Sequence, residues 1–316
     1  MNRVYEHETM PVDRILEGFR ELGYIASRQI ATTVYLAMQL EKPVLVEGPA
    51  GVGKTELAKT AATLFRTPLI RLQCYEGLDE SKALYEWKYG KQLLYTQLLK
   101  DKLDDIISDR NGFRASLEKL HQYDDIFFSW NFLEPRPLLK ALHQDEGAVL
   151  LIDEIDKSDD EFEAFLLELL SDYQVSIPEI GTVRAVKKPL VFLTSNNTRE
   201  LGEALKRRCL HLYIPFPQAS LEREIIRSRV PDLPETLRKQ IVAFVQALRQ
   251  LDIKKVPSIS ETIDWARTIL LLHAGTLSPE FIHETLNIIL KFEDDIIMVD
   301  ENLHNILPGV IRDVEA

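Results

Sequence analysis

The stretch Gly48-Pro-Ala-Gly-Val-Gly53-Lys54-Thr55 restricts the folds open to this chain more than any other segment. It satisfies the pattern G-x-x-x-x-G-K-[ST] and lies between a short apolar run at 43–47 and helical spacing at 56–65. The glycines let consecutive backbone N–H groups turn inward around phosphate oxygens. The helix that follows aims its positive N-terminus at the same charge. In such a loop Lys54 reaches the β- and γ-phosphates, and the Thr55 hydroxyl ligates Mg²⁺. Pro49, Ala50, Gly51, Val52 and Glu56 complete the expected nucleotide contacts, so the expected cofactors are ATP and Mg²⁺.

A second segment supports that chemistry. Ala148-Val-Leu-Leu-Ile-Asp153-Glu154 is an apolar run that ends in two carboxylates. Asp153 at the strand tip suits the magnesium shell, and Glu154 suits orientation or deprotonation of an attacking water. An acid after an apolar run is a weak signal alone and a strong one beside the glycine loop. A glutamate poised on water favours hydrolysis over phosphoryl transfer to a metabolite. Asp156, Asp159 and Asp160 read as a solvated helix start.

The compact apolar runs at 43–47, 68–73, 148–152, 190–194 and 210–214 look like strands buried on both faces. Helical spacing separates them, and it also covers 12–40 with a break at Gly23, so the fold class is α/β with a parallel five-stranded sheet. The long segment between the second and third runs needs structure of its own, with helical spacing over 92–107. Residues 173–186 read as a hairpin. Pro215-Phe-Pro217 marks a boundary, and the chain beyond is helical at 221–229, 235–251, 261–273 and 279–291. The expected division is an α/β domain over 1–216, carrying an insert at about 74–145, and an all-helical domain over 217–316.

A formal charge of −12 argues against a nucleic-acid partner, whose phosphates call for a basic surface. No apolar run approaches the roughly 20 residues a membrane span requires. The charged, acidic start of the chain does not resemble a secretory signal, so the expected compartment is the cytoplasm. Cys74 and Cys209 form no Cys-x-x-Cys pair and read as small, reduced hydrophobes. The histidines show no metal-ligand spacing, and no transition-metal site is expected.

Four further features resemble AAA+ ATPases. Leu190-Val-Phe-Leu-Thr-Ser-Asn196-Asn197 resembles the sensor-1 strand, with Asn196 ahead of Asn197 as the residue that positions the γ-phosphate and water. Leu205-Lys-Arg207-Arg208-Cys209 resembles the arginine-finger segment, in which Arg208, with Arg207 beside it, would reach the neighbouring subunit's nucleotide. The C-terminal helices resemble the lid, and Glu261 stands where the sensor-2 arginine is expected, with Arg267 read as the only nearby cation. Tyr24 and Ile25 precede the first strand as the adenine-contacting turn does.

Within AAA+, the segments Val46-Glu-Gly-Pro-Ala-Gly-Val-Gly-Lys-Thr, Leu72-Gln-Cys-Tyr-Glu-Gly-Leu-Asp, Leu150-Leu-Ile-Asp-Glu-Ile-Asp and Pro257-Ser-Ile-Ser-Glu-Thr resemble the MoxR family, its CoxD-like members in particular. That resemblance implies a homo-oligomeric ring, expected to be a hexamer. It also implies a chaperone-like role toward a protein client, such as a von Willebrand A domain protein or a metalloenzyme of the molybdenum hydroxylase type. A nucleic-acid motor and a slow nucleotide-dependent binding switch are the competing readings.

Overall fold

Three of the five central strands are buried on both faces, which is why the sheet reads as unbroken apolar runs. The computed structural model describes residues 10–98, 128–178, 180–273 and 275–308. The strands of the main sheet are β1 (Val44–Glu47), β2 (Leu69–Gln73), β5 (Val149–Asp153), β8 (Leu190–Ser195) and β9 (Leu210–Tyr213). They run parallel in the order β2-β5-β8-β1-β9. Strand pleating sends successive side chains to opposite faces. Thus Val44, Val46, Val149, Leu151 and Phe192 pack under helices α1 (Val12–Glu21), α2 (Arg28–Leu40) and α3 (Lys54–Phe65). Leu45, Leu150, Ile152, Val191 and Leu193 face the other way. There they meet α6 (Pro137–Leu142) and α7 (Asp160–Asp172). Each such side chain contributes about 1.5–3 kcal/mol on burial. The edge strands depart from the expectation of two buried faces: Leu69 and Arg71 of β2 and Tyr213 of β9 are exposed.

The helical spacing at 12–40 divides in two, and Gly23 takes a left-handed φ of 77° between α1 and α2. Between β2 and β5 the described residues contain α4 (Glu80–Ala83), β3 (Tyr85–Trp87), α5 (Tyr89–Leu98) and β4 (Leu133–Pro135). β3 and β4 pair antiparallel, a small sheet that the sequence did not announce. The helical expectation for 92–107 falls partly outside the described residues. The expected hairpin forms from β6 (Gln174–Ile177) and β7 (Gly181–Arg184).

After α8 (Glu203–Arg208) and β9, residues 214–218 take neither helix nor strand. Helices α9 (Ala219–Arg229), α10 (Glu235–Leu248), α11 (Ile259–Leu271), α12 (Pro279–Ile289) and α13 (Glu293–Glu301) follow. They enclose a core of their own around Trp265 and Phe244. Glu222, fully buried there, accepts both Nη1 and Nη2 of Arg249 at 2.7 and 2.8 Å. The Arg249 guanidinium also lies 4.9 Å from the ring centre of Phe216 in the connecting segment. α11 opens with a reciprocal capping box, in which Ser258 accepts from the Glu261 N–H and Glu261 accepts from the Ser258 N–H. Among the described residues no helix is long and apolar enough to cross a membrane.

Candidate active site

Parallel pairing brings the ends of β1, β2, β5 and β8 to one edge, where a doubly covered sheet of this kind presents its ligand site. Glu47 is in register with Ser195, and Gln73 with Asp153. The glycine loop leaves β1 at that edge. Gly48 takes a φ of 146°, and a Cβ there would lie 2.1 Å from the Ile214 carbonyl oxygen. At Gly51 (φ 73°) a Cβ would meet the Ser258 side chain at 2.5 Å, so the start of α11 presses directly on the loop. Only glycine fits at these two positions.

Lys54 opens α3 with its side chain buried. Its Nζ donates to Gly48 O, Pro49 O and Asn196 Oδ1, each at 2.7 Å. Burial pulls the Lys54 pKa below the ordinary lysine value, and the charges of Asp156, then Asp153 and Glu154, oppose that shift. Next to it, Thr55 Oγ1 lies 3.1 Å from Asp153 Oδ1. A hydroxyl and a carboxylate converging in this way are the hard oxygen donors that Mg²⁺ takes alongside phosphates and water. These two residues would hold the ion.

Asp153 is 3% exposed and strongly held. Thr194 Oγ1 donates to its Oδ1 at 2.5 Å, while Arg71 Nε and Nη2 donate to its Oδ2 at 3.0 and 2.6 Å. Glu154 adopts a left-handed φ of 58°, a conformation that costs a non-glycine residue about 1–3 kcal/mol and turns the chain sharply at the strand tip. Its Oε2 accepts from Gln73 Nε2 at 2.8 Å and pairs with Lys157 Nζ at 2.6 Å. Its Oε1 receives Asn196 Nδ2 at 3.4 Å. Asn196 therefore bridges Lys54 and Glu154. Asn197 instead has φ 58° and pairs locally with Ser195.

Asp156 departs from its expectation as a solvated residue. It is 3% exposed, and its Oδ2 accepts from Asn196 N–H at 3.2 Å, Thr198 N–H at 3.0 Å and Thr198 Oγ1 at 2.7 Å. Burial alone would raise its pKa, but these hydrogen bonds outweigh it and hold the carboxyl below the usual aspartate value. Asp159 does serve a helix start, as the N-cap of α7, and accepts from Phe162 N–H at 2.9 Å.

A cavity of about 590 Å³ continues from the loop between the sheet and the C-terminal helices. Tyr24, Ile25, Gly53, Ile214, Ile259 and Arg267 are among the residues that line it. Burial, with the Glu56 charge second, pushes the Tyr24 phenol up. Arg267 is half exposed, with Asp264 Oδ1 3.5 Å from its Nη1. The carboxylate of Glu261 turns away to Ser258 and Lys255. The cation that does meet the loop helix is one the sequence did not single out: Arg229 Nη2 donates to Glu56 Oε1 at 2.6 Å.

Arg207 and Arg208 are not brought to this site. Arg207 is exposed and pairs with Glu203, while Arg208 Nε donates to Ser171 Oγ at 2.8 Å. Arg71, Gln73, Thr194 and Lys157 were missed. Alternation put Arg71 and Gln73 on one face of a short strand, a readable sign, but their facing Asp153 and Glu154 follows only from the strand order.

The family model described as AAA domain (dynein-related subfamily) matches residues 43–209, just over half of the chain. An uncharacterized protein of Staphylococcus epidermidis is 27% identical over 265 residues, covering 81% of this chain and 87% of that protein. An uncharacterized protein of Staphylococcus aureus is 27% identical over 264 residues, covering 81% of this chain and 86% of its own length.

Proposed function

The chain belongs to the AAA domain family, dynein-related subfamily, a group of nucleotide-dependent ATPases that includes MoxR-like members, and from that premise we propose that it hydrolyses Mg-ATP in a homo-oligomeric ring to remodel a protein partner. The observation that carries the reading is the bridge Lys54–Asn196–Glu154, set beside Thr55 and Asp153. In it the loop amides and Lys54 bind the β- and γ-phosphates, and Tyr24 and Ile25 shape the nucleobase end of the cavity. Mg²⁺, when bound, neutralises phosphate charge as it develops in the transition state. Glu154 accepts the proton of the attacking water, while Asn196 orients that water and the γ-phosphate. Gln73 and Lys157 keep the Glu154 carboxylate aimed across the strand ends.

Arg208 acts in trans. It lies exposed on its own subunit, where it donates to Ser171 Oγ and to the Ala204 carbonyl of its own helix, a position from which a neighbour's nucleotide can be reached. An oligomer follows from that assignment, and the family resemblance makes it a ring, expected to be a hexamer. The MoxR-like resemblance supports a chaperone-like role and a client such as a von Willebrand A domain protein or a molybdenum hydroxylase-type metalloenzyme.

Glu154→Gln tests the reading. Turnover should fall by about 10²- to 10⁴-fold while ATP binding persists. The variant should also accumulate as an ATP-bound assembly in sedimentation analysis. Wild-type turnover in this variant refutes the assigned base.

A further inference from the structure

β8 ends at Ser195, and with it the sheet ladder that satisfied its backbone. The N–H groups of Asn196 and Thr198 need other acceptors, because a buried donor left unpaired costs as much as a lost hydrogen bond. One oxygen, Oδ2 of Asp156, takes both, together with the Thr198 hydroxyl. It can do so because the left-handed Glu154 turns the chain into a short 3₁₀ turn, Ile155–Lys157, next to the neighbouring parallel strand. The other oxygen, Oδ1, is buried and has no hydrogen-bond partner. A hydroxyl or a neutral amide could cap the same N–H groups without the cost of burying a charge. An ionised acceptor makes stronger hydrogen bonds than a neutral one, which matters where a side chain must be held to a fraction of an ångström. The backbone that it grips carries Asn196, whose side chain spans Lys54 and Glu154.

We propose that Asp156 is a positioning residue for hydrolysis: its carboxylate fixes the backbone at Asn196 and Thr198, and so sets the Asn196 amide between Lys54 and Glu154. This rests on the ATPase reading and adds to it a residue that touches neither nucleotide nor metal.

Turnover and ATP affinity of Asp156→Asn, Asn196→Ala and the double variant test it, with Thr198→Val as a milder companion that keeps the buried charge. Asp156→Asn should lower kcat about tenfold with ATP affinity within about threefold of wild type. Thr198→Val should lower kcat about threefold. Neither change should slow Asn196→Ala further, because a group acting only through Asn196 has nothing left to position. A folded Asp156→Asn or Thr198→Val enzyme with wild-type kcat overturns the proposal. So does a loss that multiplies in full with that of Asn196→Ala. If Asn196→Ala itself turns over normally, the assignment of Asn196 and the reading of the site fail instead.

Discussion

Asn196 Oδ1 lies 2.7 Å from Lys54 Nζ, although 142 residues separate them in the chain. The parallel pairing of β1 with β8 produces this contact: Glu47 stands opposite Ser195, so the loop after one strand and the turn after the other leave the sheet side by side. Lys54 is held at three oxygens in a buried pocket, where burial lowers its pKa and the nearby charges of Asp156, Asp153 and Glu154 oppose that shift.

Lys54→Ala should therefore abolish measurable nucleotide binding, a loss of at least about 100-fold, since it removes a charge-assisted contact to phosphate at the centre of the loop. Titration calorimetry with ATP checks this. Binding at wild-type affinity would mean that the phosphates sit elsewhere.

Arg208 donates only to Ser171 and to the Ala204 carbonyl of its own helix among its described hydrogen bonds. Arg208→Ala should bind ATP normally and lose on the order of 10³-fold in turnover, the scale of a missing arginine finger. Mixing it with Glu154→Gln subunits should restore part of the activity, because each supplies what the other lacks across an interface. Absence of rescue at any ratio would place the arginine outside a shared site.

Glu222 and Arg249 form a buried, bidentate pair that Thr262 and Gln246 also join. Removing the carboxylate strands a guanidinium in the core of the C-terminal helices. Glu222→Ala should cost about 3–5 kcal/mol in urea unfolding of that helical region. A cost under about 1 kcal/mol would show that water reaches Arg249.

The chain's apolar runs were enough to read the parallel sheet, since β1, β5 and β8 bury both faces and carry polar residues only at their C-terminal tips. Turn chemistry located the glycine loop and the hairpin. Asp156 was misjudged for a physical reason: an aspartate just past a strand looks like a solvated turn until the donors to its carboxylate are known, and those lie 40 and 42 residues away. The small β3–β4 sheet escaped because its strands are three residues each, too short to show a period.

Local sequence determined which segments become strands and helices, where the loop must bend, and which residue types stand at each strand tip. It did so because backbone sterics and side-chain periodicity act over a few neighbours. Tertiary structure alone decided the strand order β2-β5-β8-β1-β9, and with it that Arg71 would hold Asp153, that Gln73 would meet Glu154 and that Ser258 would press on Gly51. Those contacts join residues far apart in the chain, and only the packing of both sheet faces fixes which distant ends become neighbours.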